Sequence, residues 1–375
     1  MTVIDAPWLH GPAQPVCAML ENAGYEAWFV GGSVRNALID APVSDIDLST
    51  NARPDVVMAL AADAGLKAIP TGIDHGTVTI VSDGAPIEVT TFRRDVATDG
   101  RRAVVSFADT MHDDALRRDF TMNAIYCDIR GQVADPLDGL PDLRARRVRF
   151  IEDPAVRIKE DYLRILRFFR FYAWYGDTDA GIDADGLAAC AMYADGIDGL
   201  SSERITSEML KLLAAPDPAP AIASMGRTGV LMHIAAGGAP DVIAVLVHLE
   251  QSLGLAPDPI RRLVALGGER DRWRLSNAVQ KSVDVRSADM PLAELAYRHG
   301  AAAATDRYLI EQASMTQPAD AARLDAFADA AAQVFPLKAA DLMPRYQGAA
   351  LGAALKTAEA RWIESGFAKT KAELL

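Results

Sequence analysis

The strongest constraint on the fold comes from two adjacent glycines, Gly31 and Gly32, which follow a short apolar segment. Residues 27–30 are rich in aromatic and β-branched side chains and predict a short strand. The two glycines allow a tight turn and a close approach of the backbone to a ligand, and Ser33 can cap a following helix. A helix N-terminus binds phosphate through its free N–H groups, and Arg35 adds a cation there. The segment therefore predicts a phosphate-binding turn.

Two aspartates, Asp45 and Asp47, follow this turn. Side chains two positions apart on a strand point the same way, so we expect both aspartates to project together while Ile46 faces the core. Paired carboxylates opposite a phosphate cradle suit Mg²⁺ in phosphoryl or nucleotidyl transfer. We predict that Asp45 and Asp47 are catalytic metal ligands. Glu88 lies on a neighbouring predicted strand and is a third candidate catalytic acid, although a role as a strand-edge or cross-strand partner explains it as well.

Length and composition indicate a folded protein of two or more domains, since 375 residues exceed one small core and half of them are hydrophobic. The first ten residues lack the pattern of an export signal, and no apolar run is long enough to span a membrane. The cysteines Cys17, Cys127 and Cys190 have no Cys-x-x-Cys spacing. They predict reduced, mostly buried thiols in a cytoplasmic protein without a zinc site.

The charge distribution is uneven. The formal net charge is −13, which disfavours a nucleic-acid partner. Residues 144–170, however, contain nine basic side chains against four acids. Such a stretch can be a solvated helix face, but its position beside the candidate catalytic motifs favours contact with RNA or a triphosphate.

The pattern of secondary structure changes along the chain. Residues 55–65 predict a helix, and residues 77–81 and 87–92 predict two strands of a hairpin. Residues 93–113 predict a mobile charged loop. From about residue 155 the periodicity is helical, and a proline-rich segment at residues 215–220 predicts a break between helical regions. The fold class is therefore α+β, with a mixed-sheet head followed by helices only.

A second group of candidate residues lies at residues 117–124, which read Arg-Arg-Asp-Phe-Thr-Met-Asn-Ala. The arginines can contact a triphosphate, and the Asn123 amide can contact a ribose hydroxyl. Considered alone, this segment also fits an ordinary charged helix start.

A third group begins at Glu160-Asp161 and includes Arg164, which we expect three positions after Asp161 on one helical face. Cytosine and adenine both present an amino donor beside a ring-nitrogen acceptor. A carboxylate can accept from the amino group while an arginine donates to the ring nitrogen. Guanine and uracil present the reverse order, so one Asp–Arg pair could admit CTP and ATP and reject GTP and UTP. A plain intrahelical ion pair is the alternative.

Together these motifs resemble the class II CCA-adding enzymes, the tRNA nucleotidyltransferases of the bacterial tRNA nucleotidyltransferase/poly(A) polymerase family. The resemblance is strong through about residue 210 and weaker beyond it. It implies that residues 117–124 bind the triphosphate and select ribose, and that Asp161 and Arg164 choose the base. The nucleotide-binding residues that it implies are Gly31, Gly32, Arg35, Arg118, Asp119, Asn123, Asp161, Arg164 and Arg167.

Three further segments bear on the resemblance. Asn36 stands where the family pattern usually has Asp, which puts the role of that carboxylate in question. Residues 135–143 resemble the hinge between head and neck, with Asp138 in place of a frequent glycine. Residues 200–208 resemble the start of the family's next helix and indicate a structural role.

The resemblance implies three regions: a catalytic nucleotidyltransferase head at residues 1–145, a neck for base recognition at 146–215, and a tRNA-binding helical body and tail at 216–375. The expected reaction is addition of C, C and A to the 3′ end of tRNA from CTP and ATP, with Mg²⁺ as cofactor and no membrane partner. The alternatives are a poly(A) polymerase, an enzyme that adds only C or only A, and a non-catalytic RNA-binding paralogue. Six histidines with one His-Asp pair do not support a fused phosphohydrolase site.

Overall fold

The structure is a computed structural model that describes residues 2–98, 103–343 and 345–375. The chain forms two compact units. Unit 1 comprises Met1–Arg204 and Ser224–His233, and unit 2 comprises Ile205–Ala223 and Ile234–Leu375. All strands of the described residues belong to unit 1, and the described part of unit 2 is helical. The predicted α+β class is confirmed.

The strands of unit 1 form one large sheet and one hairpin. They are β1 Trp28–Val30, β2 Asp47–Thr50, β3 Lys67–Gly72, β4 Thr77–Ser82, β5 Ala85–Thr91, β6 Arg93–Thr98, β7 Ala103–Phe107, β8 Tyr126–Cys127 and β9 Val133–Ala134. Seven of them form a sheet in the order β3-β4-β5-β2-β1-β8-β9, and β6 pairs with β7. The β2–β5 pair is parallel and the other pairs of the sheet are antiparallel, so the sheet is mixed, as predicted.

The local predictions for the first half of the head are confirmed within a few residues. The predicted helix at 55–65 is observed at Pro54–Asp63. The predicted hairpin strands are observed as β4 and β5, whose residues pair in continuous register. The three cysteines are buried thiols.

The prediction of a loop over residues 93–113 is wrong for the part that the structure describes. Strands β6 and β7 form an antiparallel hairpin, and a helix follows at Met111–Leu116. Residues 99–102 lie outside the described residues. The arginines in this stretch suggested a solvated loop, but its valines and threonines favour extended backbone, and the Phe107 ring packs under the Arg53 guanidinium at 4.9 Å.

The helices that belong wholly to unit 1 are α1 Gln14–Asn22, α2 Gly32–Leu38, α3 Pro54–Asp63, α4 Met111–Leu116, α5 Gly139–Arg144, α6 Pro154–Glu160, α7 Leu163–Tyr175 and α8 Ala184–Met192. Helix α7 carries much of the core that positions the candidate site. Phe168 is buried and stacks on Phe150 with ring centroids 5.2 Å apart, and Phe120 lies 5.0 Å from Phe150. These rings hold the segment around Phe120 against α7 through apolar burial and ring contacts.

The hinge-like segment before α5 tolerates its unusual residue. Asp138 adopts a left-handed conformation with φ of 52°, which aspartate accepts more readily than most residues. The Asp135 carboxylate accepts the backbone N–H groups of Gly139 and Leu140 at 2.7 and 2.8 Å. A Cβ on Gly139 would lie 2.2 Å from the Thr121 carbonyl oxygen, so glycine is required there. The turn therefore forms with Asp138 in place of glycine.

The remaining helices are α9 Ser202–Leu213, α10 Ala219–Arg227, α11 Pro240–Ser252, α12 Pro259–Leu266, α13 Asn277–Ser287, α14 Leu292–His299, α15 Ala301–Ser314, α16 Ala321–Ala331, α17 Ala339–Leu342, α18 Gly348–Glu364 and α19 Lys371–Leu374. The break predicted at residues 215–220 is observed between α9 and α10. None of the helices in the described ranges combines the length and the apolar character that crossing a membrane requires.

Unit 2 contains a buried ionic cluster, defined here as Glu250, Arg261, Arg262 and Asp306. Arg262 is 1% exposed and donates to Glu250 from Nε and Nη2 at 3.0 and 2.7 Å. Its Nη1 also donates to the Leu213 carbonyl oxygen at 2.7 Å, which satisfies the end of α9. Arg261 donates to Glu250 and to Asp306 at 2.7 and 2.8 Å. The cluster links three helices of unit 2 through charge-assisted hydrogen bonds.

Candidate nucleotide-binding and catalytic site

Two candidate acids lie side by side on the sheet of unit 1. Asp47 is the first residue of β2, and its direct neighbour on the parallel strand β5 is Glu88. Adjacent strands are about 4.8 Å apart, and neighbours in register project from the same face. Leu48 and Val89, the next residues of the two strands, are buried. Asp47 and Glu88 therefore project together from the face opposite to these core residues.

Asp45 does not lie on the strand, which corrects the prediction of a strand carrying both aspartates. The strand pairing of β2 begins only at Asp47, so Asp45 and Ile46 precede it, and Ile46 is half-buried instead of a core residue. Ser44 Oγ donates to the Asp45 carboxylate at 3.0 Å. Asp45 nevertheless remains close enough to Asp47 to influence its charge.

The electrostatics of Asp47 indicate a crowded group of acids. Although the residue is exposed, loss of water around its carboxyl group raises its pKa, and the Glu88 carboxylate raises it further. Arg118 acts in the opposite direction, and Asp45 adds to the rise. Mutual repulsion of this kind is relieved by a divalent cation, whose preferred ligands are carboxylate oxygens.

Among the residues that the structure describes, no three His, Cys, Asp or Glu side chains are placed as a complete metal cage. A magnesium ion in a phosphoryl-transfer site needs only one or two carboxylates, because phosphate oxygens and waters complete its coordination. The hard oxygen donors of Asp45 and Asp47 therefore fit Mg²⁺.

The glycine turn and Arg118 lie against each other. Gly31 has φ of +76° and precedes α2, and a Cβ there would lie 3.7 Å from Arg118 Nη1. Arg118 Nε donates to the Tyr126 hydroxyl at 3.2 Å, and its Nη2 donates to Asp114 at 2.9 Å. Burial would lower the pKa of Arg118, but Tyr126 and Asp114 outweigh this and raise it. A fixed cation thus lies beside the glycine turn and acts to lower the pKa of Asp47.

Arg35 lies in the first turn of α2, as predicted, and its side chain is buried. It is 6% exposed, and its guanidinium donates to Asn123 Oδ1 at 2.5 Å and to the Tyr175 hydroxyl at 2.7 Å. It also lies 4.1 Å from the centroid of the Tyr175 ring and donates to Asn36 Oδ1. Burial lowers the pKa of this arginine. Its guanidinium is engaged by Asn123 and Tyr175, and it lies beside the glycine turn, where a Cβ on Gly32 would be 3.8 Å from Arg35 Nη2.

Asn36, the departure from the family pattern, uses both ends of its amide. Its Oδ1 accepts from Arg35 Nε at 3.1 Å and Nη2 at 2.9 Å, and its Nδ2 donates to the Pro42 carbonyl oxygen at 2.6 Å. A carboxylate at this position could make the first contacts but not the second. Asn36 therefore ties α2 to the segment that leads into Asp45.

Asp119 links the second motif to α7. Its carboxylate accepts from Asn123 Nδ2 at 2.9 Å, from Arg167 Nε at 2.7 Å and from the backbone N–H of Phe120 at 2.9 Å. Burial alone would raise the pKa of Asp119. The Arg167 charge and the hydrogen bonds outweigh burial and lower the pKa to about 2. Arg35, Asn123, Asp119 and Arg167 thus form one continuous chain of contacts, which we call the ribose-side network.

The third motif is not a single helix. Helix α6 ends at Glu160, Asp161 has an extended backbone with φ of −155°, and α7 begins at Leu163. Asp161 and Arg164 are therefore not neighbours on one helical face, which corrects the predicted i,i+3 arrangement. The Asp161 side chain accepts the Leu163 backbone N–H, an N-terminal contact that explains why a new helix begins there.

The ion pairs of the third motif also differ from the alternative considered above, which was an ion pair between Asp161 and Arg164 within one helix. Arg164 donates to Glu160 Oε2 at 2.5 Å and to the carbonyl oxygens of Arg157 and Arg117, each at 2.9 Å. Asp161 instead accepts from Arg204 Nη2 at 2.6 Å. Arg204 lies in residues 200–208, for which we predicted a structural role. Arg204 lies three residues after Ser201 and four before Glu208, and nothing in this local pattern predicted that its side chain would contact Asp161.

The basic stretch at residues 144–170 is largely occupied within unit 1. Five of its nine basic residues form ion pairs with acids of the same unit: Arg147, Arg149, Arg157, Arg164 and Arg167. Lys159 lies over the Tyr193 ring. The positive charge that suggested a continuous nucleic-acid surface serves mainly to connect the helices of this unit with one another and with the second motif.

Comparison with known families matches two stretches of the chain. Residues 27–149 match the family described as the poly A polymerase head domain. Residues 181–241 match the family described as the probable RNA and SrmB-binding site of polymerase A. The first stretch contains Asp45, Asp47, Glu88, the glycine turn and the second-motif residues.

Curated relatives include CCA-adding enzymes of Streptococcus pyogenes serotype M5 (strain Manfredo) and serotype M3 (strain MGAS315). Each is 39% identical over 218 residues, which is 58% of this chain and 52% of the relative. The matched stretch thus spans about half the length of these relatives.

Solved structures match over nearly the whole chain. The Bacillus stearothermophilus CCA-adding enzyme in complex with CTP is 27% identical with a TM-score of 0.74, and the match covers 98% of this chain and 96% of that one. The Thermotoga maritima CCA-adding enzyme complexed with tRNA is 17% identical with a TM-score of 0.68, over 94% of this chain and 91% of that one, and therefore shares the fold.

Proposed function

We propose that the chain is a member of the family of CCA-adding enzymes and poly(A) polymerases, and that it adds C, C and A to the 3′ end of tRNA from CTP and ATP. Pyrophosphate leaves at each step, and no nucleic-acid template is used. The observation that carries the proposal is the placement of Asp47 and Glu88 on adjacent strands, with Arg118 close to the Gly31 turn and acting on the charge of Asp47. Acids for a metal and a fixed cation for phosphate are the two requirements of nucleotidyl transfer.

Asp45 and Asp47 would hold Mg²⁺, and Glu88 is the third acid of the group. When bound, the ion would supply activation of the RNA 3′-hydroxyl and neutralisation of charge at the α-phosphate. The raised pKa of Asp47 supports this proposal, because a cation would favour the ionised form that crowding disfavours.

The triphosphate would lie against the glycine turn. Gly31 and Gly32 expose backbone there, and Arg118 is held in position by Tyr126 and Asp114, so little reorganisation is needed when phosphate arrives. Such a prepositioned guanidinium stabilises the charge that develops on the leaving pyrophosphate.

The ribose-side network would select the sugar. The Asn123 amide is fixed on both sides, by Arg35 at its oxygen and by Asp119 at its nitrogen. A fixed amide has a remaining hydrogen and lone pair for a ribose hydroxyl. In this proposal Arg35, Asp119 and Arg167 act on the nucleotide through the orientation of Asn123.

Asp161 and Arg164 would read the base. Three of the five N–H donors of Arg164 are used within the protein, which leaves two for a ring nitrogen. The Asp161 carboxylate has two protein partners and can still accept from an exocyclic amino group. The separate anchoring of the two side chains lets them meet a base edge together, although they do not share a helical face.

We also propose the functional division into a head at residues 1–145, a neck at 146–215 and a body and tail at 216–375. The match of residues 27–149 to the head-domain family supports the first boundary. A cytoplasmic location, expected from the sequence, stays a prediction.

The proposal is tested with purified protein, Mg²⁺ and three tRNAs that end before, within or one residue short of the CCA end. Each is given labelled CTP, ATP or both, and the products are sized. Ordered addition of C, C and A that stops there is the expected result. Long A tails on any RNA would indicate a poly(A) polymerase, addition of one nucleotide only a partial enzyme, and no incorporation a non-catalytic RNA-binding protein.

A further inference from the structure

We propose that Arg204 is a positioning residue for base selection, which acts through the carboxylate of Asp161. The inference rests on the proposed function, because it concerns how that site distinguishes CTP and ATP from UTP and GTP. Arg204 Nη2 lies 2.6 Å from Asp161 Oδ2. The two residues are 43 positions apart in sequence, so the contact is made by the tertiary structure.

Asp161 has little local support for its orientation. It lies between α6 and α7, outside both helices, with an extended backbone. Its Oδ1 accepts the Leu163 backbone N–H at 3.1 Å, and its Oδ2 accepts from Arg204. Contacts at two different oxygens fix the plane of the carboxylate. Without Arg204 only one contact remains, and the group can rotate about the bond that joins it to Cβ.

The orientation of this group decides which base is accepted. A carboxylate offers about four acceptor positions in its own plane, and two of them are used by Leu163 and Arg204. The remaining positions keep a fixed direction as long as both contacts persist. A donor from cytosine or adenine fits that direction, whereas a carbonyl oxygen from uracil or guanine meets an acceptor.

The side chain of Arg164 is held by more contacts than that of Asp161. Its guanidinium is held by Glu160 and by two backbone carbonyl oxygens, and its side chain is 11% exposed. The Asp161 and Arg204 side chains are 31% and 37% exposed, and Arg204 is the charged partner of Asp161. The Asp161 carboxylate, which would accept from the base, thus has one charged partner. The Arg164 guanidinium, which would donate to the base, is held by three hydrogen bonds.

The proposal predicts a change in selectivity without a change in fold. For Arg204→Ala we expect the ratio of kcat/KM for CTP to that for UTP to fall about tenfold, mainly through a higher KM for CTP, in line with the loss of one oriented base contact. The ratio for ATP over GTP falls similarly. Arg204→Lys keeps the charge but not the guanidinium geometry, and it recovers part of the selectivity.

The matched control is Arg130→Ala, which removes another partly exposed arginine–aspartate pair of unit 1 and leaves both ratios unchanged. The thermal unfolding temperature is measured for every variant. If Arg204→Ala unfolds, the comparison is made with Arg204→Lys and Arg204→Gln, which retain a long polar side chain.

The decisive measurement is a double-mutant cycle with Asp161→Ala. If Arg204 acts through Asp161, Arg204→Ala causes no further loss of selectivity in the Asp161→Ala protein. An equal loss in both backgrounds, or an unchanged ratio in the single variant, would overturn the inference. A wild-type protein that incorporates neither CTP nor ATP would reject the proposed function itself, whereas selective wild-type addition with an insensitive Arg204 variant would reject only the role of Arg204.

Discussion

The ribose-side network of unit 1 and the buried ionic cluster of unit 2 both pair buried acids with arginines, but they differ in how far they are exposed to solvent. In the cluster, Arg262 is 1% and Glu250 1% exposed, and their hydrogen bonds are made with each other, with Arg261 and with backbone carbonyl oxygens. In the network, Asp119 is also buried, but its partner Arg167 has a side chain that is 30% exposed. The first is closed to solvent, whereas the second reaches it.

This difference separates a structural from a functional use of buried charge. A fully enclosed ion pair has its desolvation cost offset only by internal contacts, and breaking it leaves an uncompensated charge. A network that reaches solvent can receive a ligand at its open end and hold one amide in a fixed orientation. Changes in the two regions should therefore separate stability from activity.

The largest expected effect is the loss of activity in Asp47→Ala. Removal of this carboxylate eliminates several kcal/mol of stabilisation of the transition state, so we expect turnover to fall by at least about a thousandfold. Affinity for tRNA and the unfolding temperature remain close to those of the wild type. Nucleotide incorporation and RNA binding are measured on the same preparation. The exposed Asp63→Ala is the control, and substantial residual turnover in Asp47→Ala would remove this residue from the metal site.

In unit 2 we expect the opposite behaviour from Glu250→Gln. Loss of this charge leaves Arg262 buried without its acidic partner, and we expect the free energy of unfolding to fall by about 3 kcal/mol. The folded fraction keeps its kcat at a temperature below the transition. Denaturant titration and initial rates measure the two quantities.

The control for this variant is Glu294→Gln, which removes a more exposed partner of Arg298 and should cost at most about 1 kcal/mol. If both variants lost the same free energy of unfolding, burial would not be the reason that the buried ionic cluster contributes to stability.

The ribose-side network should show its contribution to stability in a pH dependence. The pKa of Asp119 is about 2 in the folded protein, below the ordinary 3.8. The folded state therefore binds fewer protons than the unfolded state between these values. The stabilisation, roughly 2 kcal/mol, is present above about pH 4 and is lost as the pH falls through 2. The difference in unfolding free energy between wild type and Asp119→Asn should shrink over this range, and a constant difference would contradict the assignment.

The smallest expected effect is that of Asn36→Asp, which restores the residue usual in the family. A carboxylate keeps the contact with Arg35 and gains charge attraction, but it loses the hydrogen bond to the Pro42 carbonyl oxygen. These changes oppose each other, so we expect less than about 1 kcal/mol in stability. Activity should change little, and steady-state rates with CTP test this. A large gain in rate would show that the carboxylate has a role that the amide cannot fill.

The sequence predicted correctly which elements carry several candidate residues, where the prediction depends on residue type within a short segment. The glycine turn, Asp47 beside Glu88, and the contacts of Asp119 and Asn123 fall in segments whose composition already indicated metal or phosphate chemistry. The sequence predictions were wrong where contacts between distant segments decide the local structure. Asp45 lies outside the strand because the pairing of β2 with β5 begins only at Asp47, and the hairpin of β6 and β7 was hidden by the charges of its arginines.

The amino-acid sequence alone specifies the set of reactive groups and the fold class. Local periodicity specifies the strands and helices, and short motifs place acids, glycines and arginines at fixed spacings along the backbone. The tertiary structure decided which of these groups are open and which are paired. It buries Arg35 against Tyr175, separates Asp161 from the helix of Arg164, and gives Asp161 a partner 43 residues away. The physical reason is that burial and ion pairing depend on contacts between distant segments, which the packing of α7 against the head creates and which no local pattern encodes.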